Sequence, residues 1–135
     1  MVKQIYILDG ANFLSFQEFT QYFSDVVFKE SRWCGNLDAL NDMLRGGFGT
    51  PENGFILRWE NSVLSRQNLG YAETIQWLEE HIVTCDPTNI PHLEQRLADA
   101  KQGRGETLFD TIVEIIQVHG PGGTEAEDSI DLLLL

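Results

Sequence analysis

The sequence predicts an α/β domain in which a three-stranded parallel sheet is packed by helices. Three apolar segments with strand-like composition, over residues 2–8, 55–59 and 130–135, are separated by long stretches with helical periodicity. Parallel strands require long crossovers between them, whereas antiparallel strands can be joined by short turns. The order strand, helices, strand, helices, strand therefore favours a parallel sheet with right-handed connections. A length of 135 residues suits a single domain over residues 1–135.

The first half of the chain carries the clearest boundaries between elements. The opening strand ends at the turn pair Asp9-Gly10. The run Ser15-Phe16-Gln17-Glu18 has the pattern of a capping box and predicts the start of the first helix. Asn36 is the expected N-cap of a short second helix, and Gly46 is the expected residue just beyond its end.

The second half is predicted to hold several helical segments before the last strand. These cover residues 62–68, 71–82, 91–102 and 108–118. The last of them is rich in β-branched residues, as strands are, but its length and the shared helical face of Phe109, Ile112 and Ile116 favour a helix. The closing run from Ile130 to Leu135 is almost continuously apolar, which predicts a strand buried on both faces.

Charge is the most informative feature of the composition. Nine basic residues against 21 acidic ones give a formal net charge of −12. Such a charge argues against nucleic acid and anionic membranes as ligands, and it favours either a cationic partner or a merely solvated acidic surface. The two cysteines, Cys34 and Cys85, lie far apart in a chain without a secretory signal, so we expect reduced thiols in a cytoplasm.

No residue pattern typical of catalysis stands out. The three histidines, His81, His92 and His119, lack metal-ligand spacing, and Cys34 is expected to be a buried packing thiol. The sequence therefore predicts a protein that is not an enzyme and that holds neither a metal nor a cofactor.

Asp38 and Asp42 are the strongest candidates for a functional pair. They are four residues apart, so both carboxylates lie on one face of the predicted second helix. Such a face is either solvated surface or an acidic patch shaped to meet a cationic cleft. The glycine-rich loop over residues 46–54 lacks the spacing of a phosphate-binding loop, but Phe48 in it is a candidate exposed anchor.

The residues around this pair resemble a known family. The run Asn36-Leu37-Asp38-Ala39-Leu40-Asn41-Asp42 is similar to the start of the second helix in the barstar family of ribonuclease inhibitors. Leu57-Arg58-Trp59 resembles the end of that family's second strand, with Trp59 as a core residue. The resemblance covers most of residues 2–66 and 106–135. It implies a barstar-like fold, with residues 67–105 as an extra helical insertion.

The resemblance also implies a function. Barstar-like proteins block a basic ribonuclease of the barnase type with the second helix and the loop before it, which protects a bacterial cell against the toxin. It follows that this chain would be a cytoplasmic inhibitor, with Asp42 as the main phosphate mimic and Asp38 pairing with basic groups beside it. The partner-binding residues that the resemblance implies are Trp33, Gly35, Asn36, Asp38, Asn41, Asp42, Gly46 and Phe48.

Some positions depart from the family pattern. Asn41 stands where barstar has a contact tryptophan, and Gly35 stands where it has a glutamate. The interface would therefore lose an aromatic anchor and one charge. The family's glutamate on the helix before the last strand has no exact counterpart, and Glu114, one position away, is the candidate for its role.

Two other functions stay open on the sequence. The first is a binding module of the same fold whose partner is a cationic protein other than a nuclease. The second is a metal-dependent hydrolase in which Asp9, Asp38 and Asp42 gather a Mg²⁺ ion.

Overall fold

The computed structural model describes residues 3–29 and 31–135. Val2, at the start of the predicted first strand, and Glu30, at the start of the predicted connection to the second helix, lie outside the described residues.

The sheet consists of three parallel strands in the order β1-β2-β3. In its register, Tyr6 of β1 lies beside Leu57 of β2, which in turn lies beside Leu132 of β3. The prediction of a three-stranded parallel sheet is thereby confirmed. The strands are β1 (Gln4–Asp9), β2 (Phe55–Glu60) and β3 (Ile130–Leu134).

The described residues form six α-helices, and the ambiguous segment near the C-terminus is one of them. Helix α1 continues into a π-helical turn over Ser24–Phe28. None of the helices in the described part of the chain has the length and hydropathy needed to cross a membrane. The helices are α1 (Phe16–Phe23), α2 (Leu37–Leu44), α3 (Ser62–Asn68), α4 (Tyr71–Thr84), α5 (Ile90–Lys101) and α6 (Leu108–Val118).

The main core lies on one face of the sheet. Along β1, Tyr6 and Leu8 are buried, whereas Ile5 and Ile7 between them are about half exposed. Alternation of this kind marks a strand that is covered on one side only. The expectation that the last strand is buried on both faces was therefore wrong, because Leu133 lies in register with Arg58 and Ile7 on the open face of the sheet and is 45% exposed.

Aromatic side chains fill the space between the sheet and the helices. The ring of Trp59 is stacked on Phe19 at a centroid distance of 5.5 Å and meets Phe109 edge-on at 5.2 Å. Its indole N–H donates to Ser65 Oγ at 2.8 Å, which satisfies the polar group inside the core. Trp59 is therefore structural, as its resemblance to a core tryptophan implied.

Helices α4 and α5 pack on each other around a small second core of Leu78, Leu93 and Ala100. Two side chains of α4 tie this pair to the rest of the protein. The carboxylate of Glu73 accepts the backbone N–H of Phe16 at the start of α1 (3.0 Å), and Thr74 Oγ1 accepts that of Leu108 at the start of α6 (2.8 Å). The first turn of α4 is thus bonded to the starts of both α1 and α6.

Truncation in the main core tests the packing of α6. Ile112 is fully buried, so we expect Ile112→Ala to lower the free energy of unfolding by about 2–5 kcal/mol. Val83 on α4 is 83% exposed, and Val83→Ala is the control, with an expected change below about 0.5 kcal/mol. Urea unfolding measures both variants. Equal effects would show that α6 does not pack as described.

Candidate functional site

Helix α2 presents an acidic face to the surroundings because its other face is anchored in the core. The Asn36 side chain accepts the backbone N–H of Ala39 at 3.0 Å, so the predicted N-cap is confirmed. Leu40 and Leu44 are buried beneath the helix. Gly46, with φ of +126°, lies just beyond the helix end, as predicted.

Asp38 and Asp42, which we call the acidic face, are both exposed. The side chain of Asp42 is 66% exposed. Asp38 lies in the first turn of α2, where the helix dipole stabilises a negative charge. Asp42 is too far along the helix for that effect, so stabilisation of its negative charge has to come from neighbouring side chains.

Arg45 supplies the compensating charge for Asp42. Its Nη1 atom lies 2.6 Å from Asp42 Oδ1, and its Nε atom lies 2.5 Å from Glu125 Oε1. A second bond joins Arg45 Nη2 to Glu125 Oε2 at 3.2 Å, so the guanidinium meets Glu125 in bidentate fashion. Hydrogen bonding to Glu125 raises the pKa of Arg45, and the same bonds lower the pKa of Glu125.

The loop before α2 is fastened to the core by Trp33. Its ring is only 3% exposed and meets Phe16, Phe19 and Phe23 edge-on. Its indole N–H donates to the backbone carbonyl of Asn36 at 2.7 Å. Trp33 therefore supports the loop from beneath, and its predicted contact with a partner stays a prediction.

Cys34, next in the loop, also differs from expectation. It was predicted to be a buried packing thiol, but it is exposed and unpaired. Trp33 takes up the buried position in the loop, which leaves the neighbouring side chain outside.

Asn41 is turned away from the acidic face. Its Oδ1 atom lies 2.8 Å from Nε2 of His119, a fully buried residue that follows α6. The other ring nitrogen of His119, Nδ1, lies 2.6 Å from Asp128 Oδ2. Asn41 therefore has a structural role, because its amide links α2 to the segment before β3, and its predicted contact role stays a prediction.

The remaining predicted residues lie at the two ends of α2. Gly35 has φ of +103°, and an added Cβ there would stand 3.2 Å from the Phe16 ring, so the close approach of loop and helix requires glycine. Gly46 has open space around it. Phe48 is 39% exposed on the loop that follows. A contact role for Gly35, Gly46 and Phe48 stays a prediction.

The carboxylate that joins the acidic face from the second half of the chain is Glu125. Glu114 is exposed on α6 and lines a groove with the loop over residues 120–124 and with β3. Its contact role stays a prediction. Glu125, Asp128 and His119 were not predicted from the sequence to be part of the site. The sequence feature that could have pointed to them is the acidic run after the Gly120-Pro121-Gly122-Gly123 break. The sequence does not show, however, which part of the protein that run packs against.

The arrangement does not favour the metal-dependent hydrolase. Within residues 3–29 and 31–135, the metal-compatible group is His119, Glu125 and Asp128, and it does not include the predicted trio. Asp9 instead accepts hydrogen bonds from Asn61 Nδ2 and from the backbone N–H of Ala11, which lower the pKa of its carboxyl group. Its carboxylate therefore has a local structural role.

Comparison with protein families supports the resemblance. A family model described as Barstar (barnase inhibitor) matches residues 3–92, about two-thirds of the chain. Comparisons with curated proteins and with solved structures found no significant match. The family match continues through α4 into the start of α5, so the boundaries of the insertion at residues 67–105 stay a prediction.

Titration of Glu125 tests the ion pair beside the acidic face. Because Arg45 lowers the pKa of Glu125, the pair is fully formed above the ordinary value of 4.5 and is lost as the pH falls through the lowered value. We expect a carboxyl titration followed by NMR to give a midpoint below 4.5 for Glu125. Arg45→Gln should move the midpoint upward. An unchanged midpoint in that variant would mean that the pair does not form in solution.

Proposed function

The chain belongs to the barstar family, and we propose that it inhibits a ribonuclease by placing α2 and the loop before it against the nuclease active site. The observation that carries the proposal is the acidic face, two exposed carboxylates on a helix that is fixed at both ends. A ribonuclease must bind RNA phosphates and therefore has a cationic active site. Carboxylates can occupy such a site in place of phosphates, with charge-assisted hydrogen bonds to its arginine and lysine side chains.

The overall charge supports the same function. A protein with a net charge of −12 attracts a cationic partner over distances of about a Debye length, which speeds the encounter. The barnase–barstar pair is itself the standard example of such steering. High salt should therefore weaken inhibition mainly by slowing association.

Arg45 must release Asp42 before a partner's arginine can pair with it. The bidentate bonds between Arg45 and Glu125 make this release inexpensive, because Arg45 keeps a carboxylate partner when Asp42 turns away. Glu125 thus prevents Arg45 from staying unpaired beside an incoming cation. In this mechanism Asp42 is the main phosphate mimic and Asp38 binds basic groups next to it.

The proposal needs no catalytic group, metal or cofactor. Inhibition by occlusion consumes nothing and leaves both proteins intact. Its biological purpose would be immunity, in which the chain protects a bacterial cytoplasm from a ribonuclease toxin.

A second candidate is a binding module of the barstar fold with a cationic partner other than a nuclease. It is favoured by the placement of Trp33 and Asn41, which leaves the acidic face without the aromatic contact that barstar has at the position of Asn41. Capture of a basic protein that has no ribonuclease activity, together with failure to inhibit ribonucleases, would favour this alternative.

Neutralising Asp42 tests the main proposal. With barnase as the nuclease, we expect Asp42→Asn to weaken inhibition by about 2–5 kcal/mol, the range for a desolvated charge pair, of which barnase–barstar is a standard example. Glu79→Gln removes the same charge from an exposed site on α4 and should change the inhibition constant less than about threefold.

The measurement is the inhibition constant for RNA cleavage at low and high salt. Stoichiometric inhibition that weakens with salt and with Asp42→Asn is the expected result. Inhibition that is insensitive to Asp42→Asn would contradict the role of the acidic face, and no inhibition at micromolar excess would contradict a barnase-type partner.

A further inference from the structure

A groove of about 590 Å³ adjoins the acidic face at the start of α2. Its floor is the loop over residues 34–36, so Gly35 and Asn36 belong both to the groove and to the candidate site. Its walls are α1 and α4, the first helix of the segment predicted as an insertion. The groove is therefore a continuation of the proposed contact surface.

Each wall presents one stripe of its helix. On α1 the stripe is Phe16, Gln17 and Thr20, whose spacing places them on a single face. On α4 the stripe is Gln76, Trp77, Glu80, His81 and Thr84.

The chemistry of the α4 stripe suits a cation with a flat, delocalised charge. The rings of Trp77 and His81 are stacked, with centroids 4.3 Å apart and an interplanar angle of 21°. Glu80 is exposed beside them, and its hydrogen bond is a long one, 3.3 Å from Gln76 Nε2. Among the described residues, no lysine or arginine lines the groove. An aromatic pair next to an exposed carboxylate matches the two preferences of a guanidinium group, stacking and bidentate pairing.

The groove is rigid enough to serve as a contact surface. Glu73, one turn before Trp77, accepts the backbone N–H of Phe16 at 3.0 Å and so ties the two walls together. The floor is held by the indole of Trp33 through its bond to the Asn36 carbonyl. The width of the groove is thus determined by hydrogen bonds at its end and its base.

We propose that this groove is a second contact surface for the same nuclease and that it receives an arginine-bearing loop of that partner. The guanidinium pairs with Glu80 and packs against the stacked rings of Trp77 and His81. The proposal rests on the proposed function, and it gives the predicted insertion a role, since α4 widens the interface beyond α2. The added contacts also compensate for the aromatic anchor that is absent at Asn41.

The three tryptophans provide a test that separates the two proposals. Each gives one indole N–H signal in a ¹⁵N NMR spectrum of the full chain, and unlabelled barnase is the probe. Trp33 reports on the loop before α2, Trp77 reports on the groove, and Trp59, fully buried and bonded to Ser65, is the internal control. We expect the signals of Trp33 and Trp77 to shift on binding and that of Trp59 to stay in place.

A shift of Trp33 without a shift of Trp77 would overturn the groove proposal and leave the proposed function intact. A spectrum in which neither signal shifts would overturn both.

Charge reversal on α4 gives an independent test with a matched control. Glu80 lines the groove, whereas Glu79, which is also exposed, does not. Glu79→Lys and Glu80→Lys change the net charge by the same amount, so their effects on long-range attraction should be equal. We expect Glu80→Lys to weaken binding of barnase about tenfold or more beyond the effect of Glu79→Lys, because it places like charges in contact. Equal losses in the two variants would overturn the groove proposal.

Discussion

The buried indole of Trp33 is the contact on which the rest of the proposed binding surface depends. It inserts among Phe16, Phe19 and Phe23 and at the same time donates to the Asn36 carbonyl. Asn36 is the residue that caps α2. One side chain therefore connects the hydrophobic core to the start of the acidic helix, and the orientation of α2 follows from core packing. A carboxylate pair held in this way loses little conformational entropy on binding.

The far end of α2 is held by charged and polar contacts in addition to the packing of Leu44. Arg45 joins Asp42 to Glu125, and Asn41 joins the helix to the buried His119 and through it to Asp128. Both links reach the short segment between α6 and β3. The position of the acidic face therefore depends on the last part of the chain, although the acidic residues themselves belong to the first third. Strand β3 is bonded to the same segment, because the Ile130 N–H donates to the His119 carbonyl.

Interactions between residues that are close in the sequence account for much of the fold. The caps at Ser15 and Asn36, the glycine stop at Gly46 and the helical periodicity of residues 108–118 all describe interactions within a few residues. Such interactions are the same in any tertiary context, so they can be predicted from neighbouring residues alone. The parallel sheet followed from the length of the crossovers. The acidic face followed from the four-residue spacing of Asp38 and Asp42.

The sequence by itself determined the α/β class, the helix boundaries and the pair of carboxylates that share a face. Only the tertiary structure decided what surrounds that pair. Whether Trp33 points inward or outward depends on the cavity formed by three phenylalanines, and no local pattern records its shape. Glu125 lies 80 residues from Arg45 in the sequence, and β3 is covered on one side because the main core lies on only one face of the sheet. Contacts at such separations depend on how the strands pair, which is a property of the whole chain.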